Sequence, residues 1–104
     1  LGNSIFISSN VVINSLSQIE SNAIINTSAI IEHEAIISKH THIGPGSIVC
    51  GRSKISDCVF IGAGCVILPK IIIEKNSILG AGSVLTKNVK SNMTYVGSPA
   101  KKIT

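Results

Sequence analysis

Two of the three histidines in this chain lie beside residues that could do chemistry with them. His33 stands between Glu32 and Glu34, and His42 follows His40 by two residues. A neutral imidazole is the commonest general base in proteins, and a neighbouring carboxylate orients the ring and raises its basicity. The Glu-His-Glu stretch therefore indicates a base that removes a proton from a nucleophile, and we assign His40 no chemistry.

A repeat of six residues must position these histidines. An aliphatic residue recurs every six positions, and a small or β-branched residue follows four positions after each of them. An α-helix needs a period of 3.6 and a simple strand a period of two, so a strict period of six predicts a solenoid of short strands and tight corners. The aliphatic positions are Ile7, Ile13, Ile19, Ile25, Ile31, Ile37, Ile43, Val49, Ile55, Ile61, Ile67, Ile73, Leu79 and Leu85, and the pattern stops at Ser91.

If three hexads form one coil, residues eighteen apart are stacked. Three Gly-containing triplets, at 44–46, 62–64 and 80–82, then fall on one corner of successive coils. Glycine permits the φ values of tight corners, and three aligned triplets also make a smooth track on which an extended ligand could contact backbone N–H and C=O groups. Gly51 is stacked over His33, which predicts open space above the imidazole.

The composition excludes several classes of protein. The net charge of +4 comes with a single Arg and only 3% aromatic residues, so the platforms expected for nucleic acid are missing. The most apolar stretch, 58–73, contains Pro69 and Lys70, which argues against a membrane span. Three cysteines without a CxxC pair predict reduced thiols in a cytoplasmic protein.

The six-residue repeat resembles that of the hexapeptide acyltransferases. This resemblance implies an all-β fold, the left-handed parallel β-helix of hexapeptide repeats, with four to five triangular coils. Within that group, Ile31–Glu34 (IEHE), Thr41–Ile43 (THI) and the closing Val96–Lys101 (VGSPAK) are similar to bacterial sugar acetyltransferases that modify amino-sugar nucleotides or sialic acid. The match is strongest to the nucleotide-4-amino-sugar N-acetyltransferases.

The resemblance also implies a site and a co-substrate, acetyl-CoA. His33 corresponds to the general base in direct acetyl transfer, Glu34 to its supporting carboxylate, and Asn26 to a residue near the acceptor. The residues that correspond to acetyl-CoA contacts are His42 and, through their backbones along the pantetheine arm, Gly51, Ala63 and Ala81. No metal is needed.

The resemblance sets expectations for domains and assembly. We expect a β-helix over residues 1–90 and a loop with a closing strand over 91–104, without the N-terminal α/β domain that usually holds the nucleotide sugar. His33 and His42 are half a coil apart, so they should lie on opposite sides of one prism. We therefore predict a homotrimer with three sites between subunits, working in the cytoplasm on bacterial surface glycans.

Two other interpretations of the sequence are open. A non-catalytic β-helix could serve as a trimerisation scaffold. Some left-handed β-helices are carbonic anhydrases with three histidine ligands at subunit interfaces, but here the close pair is His-Thr-His and the wide spacing typical of that family is missing. Binding of acetyl-CoA would favour the transferase over both.

Overall fold

The computed structural model describes all residues from Leu1 to Thr104, and they form a β-solenoid without a helix. No segment of the chain is thus a helix able to cross a membrane. Each of the first fourteen strands has two residues, the aliphatic residue of a hexad and the residue before it. β-Branched residues favour such extended positions, and their side chains alternate between the interior and the surface.

The strands form three parallel sheets, which are the three faces of a triangular prism. Sheet 1 contains β1 (Phe6–Ile7), β4 (Ile24–Ile25), β7 (His42–Ile43), β10 (Phe60–Ile61), β13 (Ile78–Leu79), β15 (Thr94–Gly97) and the antiparallel β16 (Ala100–Lys102). Sheet 2 contains β2 (Val12–Ile13), β5 (Ile30–Ile31), β8 (Ile48–Val49), β11 (Val66–Ile67) and β14 (Val84–Leu85). Sheet 3 contains β3 (Gln18–Ile19), β6 (Ile36–Ile37), β9 (Lys54–Ile55) and β12 (Ile72–Ile73).

The register of these sheets confirms the predicted coil of three hexads. In sheet 1, Ile25 pairs with Ile43 and Ile43 with Ile61, eighteen residues further along. The chain makes about five turns of a left-handed parallel β-helix, and it measures 32 Å by 21 Å by 20 Å. The predicted fold class is therefore confirmed.

The interior is filled by the two repeating columns of the sequence. The aliphatic residues from Ile19 to Leu85 are buried, and so are the small residues that follow them by four positions. At most polar positions of the small-residue column the hydroxyl donates to a carbonyl of the next coil: Ser47 Oγ lies 2.8 Å from Gly62 O, whereas Ser83 donates to Gly80 O in its own coil. This contact explains a hydroxyl in the core, because a buried carbonyl needs a donor.

The two-residue strands are joined by three columns of corners. We call the corner between sheets 1 and 2 the glycine corner (8–11, 26–29, 44–47, 62–65, 80–83) and the one between sheets 2 and 3 the histidine corner (14–17, 32–35, 50–53, 68–71, 86–88). The third corner lies between sheets 3 and 1 (20–23, 38–41, 56–59, 74–77, 90–93). The third residue of a typical corner has a positive φ, for example 62° at Asn22 and 70° at Gly46.

The end of the repeat differs from the expectation that it stops at Ser91. The histidine corner of the last coil is shorter, and Val89 pairs with Ile73 at an interior position. Tyr95 then pairs with Leu79, sixteen residues earlier rather than eighteen. The repeat thus slips by two residues and continues into β15, and Val89 belongs to the aliphatic column rather than the small-residue column.

Candidate active site

His33 lies at the surface of the histidine corner and contacts the carboxylate next to it. Its Nδ1 is 3.2 Å from Glu34 Oε1, and the side chain is 53% exposed. A carboxylate can only accept, so this hydrogen bond requires the proton on Nδ1. The other ring nitrogen, Nε2, is then free to take a proton. Glu32 makes a different contact, since its Oε1 accepts from Asn14 Nδ2 at 2.9 Å.

Gly51 provides the surface on which the imidazole rests. A Cβ added at Gly51 would lie 2.7 Å from His33 Nε2 and 2.9 Å from Cε1. The predicted open space above the ring is therefore wrong, because the ring itself occupies the place that glycine leaves. The N–H of Gly51 makes no hydrogen bond within the chain, so the residue on which the ring rests has an unpaired backbone donor.

Arg52 belongs to the same cluster, although sequence reasoning missed it. Its Nε donates to Glu34 Oε1 at 3.2 Å, the same oxygen that accepts from His33. The hydrogen bond from His33, and then the hydrogen bond and charge of Arg52, lower the pKa of Glu34 below its ordinary value. Residues eighteen apart are stacked, and position 52 is eighteen residues after Glu34, so the repeat alone could have identified this partner.

The other predicted backbone contacts lie on the glycine corner, one sheet away from His33. Ala63 and Ala81 are stacked and exposed, and their N–H groups make no hydrogen bond within the chain. Asn26 lies on the same corner, one coil below Gly44, and its Oδ1 accepts from the N–H of Thr27 at 2.8 Å. The structure therefore groups Asn26 with Ala63 and Ala81, and it places Gly51 with His33.

The fold requires glycine at some positions of the glycine corner and not at others. A Cβ at Gly44 or Gly62 would lie 2.7 Å or less from backbone atoms of the next coil, so glycine is needed for the coils to approach. At Gly46, Gly64 and Gly82 a Cβ would meet nothing within 4 Å. Other corners carry side chains at this place with the same positive φ. Packing therefore does not require glycine at these three places, and its effect there is a smooth outer surface.

His42 lies on sheet 1, which is the face opposite the histidine corner. Its ring stacks on Phe60 with 4.8 Å between centroids and 9° between planes. Its Nδ1 is buried and has no hydrogen-bond partner. His33 and His42 are thus on opposite sides of the prism, as predicted, and His42 lies two residues before the glycine corner.

No metal-binding cluster and no enclosed cavity accompany these residues. Within the chain, no three His, Cys, Asp or Glu side chains come together as ligands. Cys65 is buried and Cys58 is exposed, and both are unpaired. The larger hollow, of ≈ 350 Å³, lies around Lys54 and Asp57, away from His33. One chain alone therefore offers an open surface around His33.

Comparison with known proteins shows which families this chain is similar to. Residues 52–87 match the family model described as bacterial transferase hexapeptide (six repeats). No curated protein sequence matches the chain significantly. The chain has the fold and the repeat of a hexapeptide-repeat β-helix, and it is similar to sugar acetyltransferases of that construction.

Three solved structures illustrate this likeness. PerB from Caulobacter crescentus, in complex with CoA and GDP-perosamine, is 30% identical with a TM-score of 0.91, over 98% of this chain and 52% of that protein. The acetyltransferase domain of PglB from Neisseria gonorrhoeae is 26% identical with a TM-score of 0.90, over 98% and 53%. WeeI from Acinetobacter baumannii is 29% identical with a TM-score of 0.74, over 97% and 56%. This chain thus spans about half the length of each.

Proposed function

We propose that this chain transfers the acetyl group of acetyl-CoA to an amine or hydroxyl of a nucleotide-linked amino sugar or a sialic acid. We place the reaction in the cytoplasm, in the synthesis of bacterial surface glycans. One observation carries the proposal: His33 donates through Nδ1 to Glu34 at 3.2 Å, which leaves Nε2 free against Gly51, whose N–H is unpaired. A base and an oxyanion donor are the two groups that acyl transfer needs.

The reaction follows from this arrangement in one direct transfer. Nε2 of His33 takes a proton from the acceptor as its nitrogen or oxygen attacks the thioester carbonyl carbon. The carbonyl oxygen becomes an oxyanion, which the N–H of Gly51 stabilises. The carbonyl then re-forms, the carbon–sulfur bond breaks, and the proton on Nε2 passes to the departing sulfur of CoA. Glu34 holds the ring in position and stabilises its charged form.

Acetyl-CoA would lie along the glycine corner with its pantetheine arm extended. The free N–H groups of Ala63 and Ala81 can donate to its amide oxygens. The absence of side chains at Gly46, Gly64 and Gly82 allows the arm to approach the backbone. We retain His42 as a second contact to acetyl-CoA and Asn26 as a contact to the acceptor.

The site requires a second subunit, because His33 and the glycine corner lie apart on one prism. We propose a homotrimer in which His33 of one subunit faces the glycine corner of its neighbour. The outward residues of sheets 1 and 2 support this, since nearly all are apolar while sheet 3 includes Gln18 and Lys54. The outward residues are Phe6, Ile24, His42, Phe60 and Ile78 on sheet 1 and Val12, Ile30, Ile48, Val66 and Val84 on sheet 2. Exposed apolar patches of this kind are typical of interfaces.

An assay of acetyl-CoA turnover tests the proposal. The wild-type chain should consume acetyl-CoA with one or more members of a panel of amino-sugar nucleotides and sialic acids. Replacing His33 with Ala should lower the rate by about a hundredfold or more, while thermal unfolding changes little because the ring is at the surface. An unchanged rate would remove His33 from the role. A trimer that binds no acetyl-CoA would indicate a scaffold instead.

A further inference from the structure

The histidine corner carries cations next to the base. Arg52 is stacked directly above Glu34, and Lys70 occupies the same place one coil further on. Both residues are exposed and have a φ of 62°. Nothing on the glycine corner corresponds to them, since its residues are uncharged throughout.

The guanidinium of Arg52 is anchored at one end and free at the other. A guanidinium has several N–H donors in a planar fork, and within this chain only the one on Nε is used, 3.2 Å from Glu34 Oε1. Both Nη groups therefore remain unpaired, and the side chain is 55% exposed. Because Glu34 also accepts from His33 through the same oxygen, one carboxylate oxygen brings the guanidinium and the imidazole together.

Stability alone does not explain an arginine at this place. An ion pair with both members this exposed contributes little to stability, because solvent screens the charges. The positive φ itself favours Gly or Asn over a long side chain. A cation held beside a catalytic base with its donors free is instead suited to bind a ligand.

We propose that Arg52 binds the anionic group of the acceptor, a phosphate or a carboxylate, while His33 takes the proton from the nucleophile. This inference rests on the acetyl transfer proposed above and adds a recognition residue for its acceptor. A planar fork binds both phosphate and carboxylate with two parallel hydrogen bonds. The phosphate next to the sugar of a nucleotide sugar and the carboxylate of a sialic acid both meet this description. Lys70 adds positive charge on the same side.

Binding measurements test the site without turnover. GDP and N-acetylneuraminic acid are titrated separately into the wild-type protein, and the NMR signal of the Arg52 Nε–H is followed. We expect one of the two probes to shift this signal with saturation, and the probe identifies the source of the anion. The Arg52→Gln variant should bind that probe at least tenfold more weakly. If neither probe shifts the signal, or if R52Q binds as wild type does, the proposal is wrong.

Steady-state kinetics then show whether Arg52 binds the acceptor or has another role. We expect R52Q to raise the KM for the acceptor about tenfold or more, on the usual strength of charge-assisted hydrogen bonds, with kcat and the KM for acetyl-CoA within twofold of wild type. R52K should recover part of the loss, and K39Q, which removes a lysine from the third corner, should change nothing. A higher KM for acetyl-CoA would assign Arg52 to CoA phosphates, and a lower kcat at constant KM would make it a structural support for Glu34. Either result would overturn the proposal.

The two proposals can fail separately. If H33A keeps full turnover while R52Q weakens acceptor binding, the anion site stands and the base is elsewhere. If H33A is inactive while R52Q binds and turns over normally, the base stands and the anion site is wrong.

Discussion

The glycine corner and the histidine corner are built from the same backbone turn, yet their surfaces differ completely. At the third residue of the turn, the glycine corner has Gly46 and Gly64, with nothing within 4 Å of an added Cβ. The histidine corner has Glu34 and Arg52 at that place, and the two side chains are hydrogen-bonded. One turn therefore supports a bare backbone on one edge of the prism and a charged cluster on another.

This difference separates what the fold needs from what the site needs. The repeat requires an aliphatic residue and a small residue in each hexad, because both are buried. It leaves the outer positions of each corner free to vary. A solenoid can thus carry a different ligand surface on each edge without a change in its core.

The largest loss of activity that we expect from adding a single methyl group is at the histidine corner. Replacing Gly51 with Ala places a Cβ 2.7 Å from His33 Nε2, so the ring must move away from its position. We expect kcat to fall about a hundredfold, since displacements of this size are costly to catalysis, with little loss of stability. Steady-state kinetics and thermal unfolding measure the two effects. In an H33A background the same substitution should have no further effect on the rate, and a further loss there would show that Gly51 acts by another route.

A bulky side chain on the glycine corner should change the KM for acetyl-CoA, whereas the substitution at Gly51 should change kcat. Replacing Ala63 with Trp covers its free N–H and fills the track. We expect the KM for acetyl-CoA to rise at least about tenfold, while the binding of the acceptor stays as in wild type. The matched control is Lys75→Trp, at the equivalent place of the third corner, which should leave the KM unchanged. Equal effects of both substitutions would remove acetyl-CoA from the glycine corner.

The glycine corner itself contains glycines of two kinds, which stability measurements can distinguish. Replacing Gly62 with Ala puts a Cβ 2.7 Å from the backbone nitrogen of Ala81, and we expect a loss of about 1–3 kcal/mol in the free energy of unfolding. Replacing Gly64 with Asn should cost less than about 0.5 kcal/mol, because Asn tolerates a positive φ and the space is open. Urea unfolding of both variants decides this, and equal losses would contradict the distinction.

The smallest effect concerns the charge of Glu34. Its pKa is lowered first by the hydrogen bond from His33 and then by Arg52, so the carboxylate should titrate below its ordinary value. Any stability that this charge gives is present above the ordinary pKa and is lost as the pH falls through the lowered value. An NMR titration of Glu34 should show its midpoint rising in both R52Q and H33A, because each variant removes a group that lowers the pKa. A midpoint that neither variant moves would show that the cluster does not form in solution.

Most of the fold could be predicted from the sequence, because burial in this solenoid repeats with the period of the chain. The aliphatic column from Ile19 to Leu85 is buried as the period of six requires. The exceptions lie at the two ends: Ile7 in the first coil is 40% exposed, and in the last coil a shortened corner brings Val89 over Ile73. A shorter corner changes the register by two residues without changing the composition, so a count in sixes cannot detect it.

Less of the candidate site could be predicted, because side-chain directions are not periodic. The contact between His33 and Glu34 was expected from their adjacency, and the opposite positions of His33 and His42 from half a coil of separation. The rotation of the imidazole onto Gly51, the contact from Arg52 and the stacking of His42 on Phe60 depend on side-chain conformation. The eighteen-residue register identifies candidates for such contacts but does not select among them.

Subunit mixing most directly tests the central claim, that each site joins the histidine corner of one chain to the glycine corner of another. The H33A and A63W chains are coexpressed in equal amounts with different tags, and mixed trimers isolated through both tags are assayed for turnover at acetyl-CoA concentrations well below the wild-type KM. Every mixed trimer should contain, among its three interfaces, one with an intact His33 and an intact glycine corner, so the isolated mixed trimers should show about a third of the wild-type rate. Mixed trimers no more active than the average of the two impaired parents would contradict the claim, because each site would then lie within a single chain.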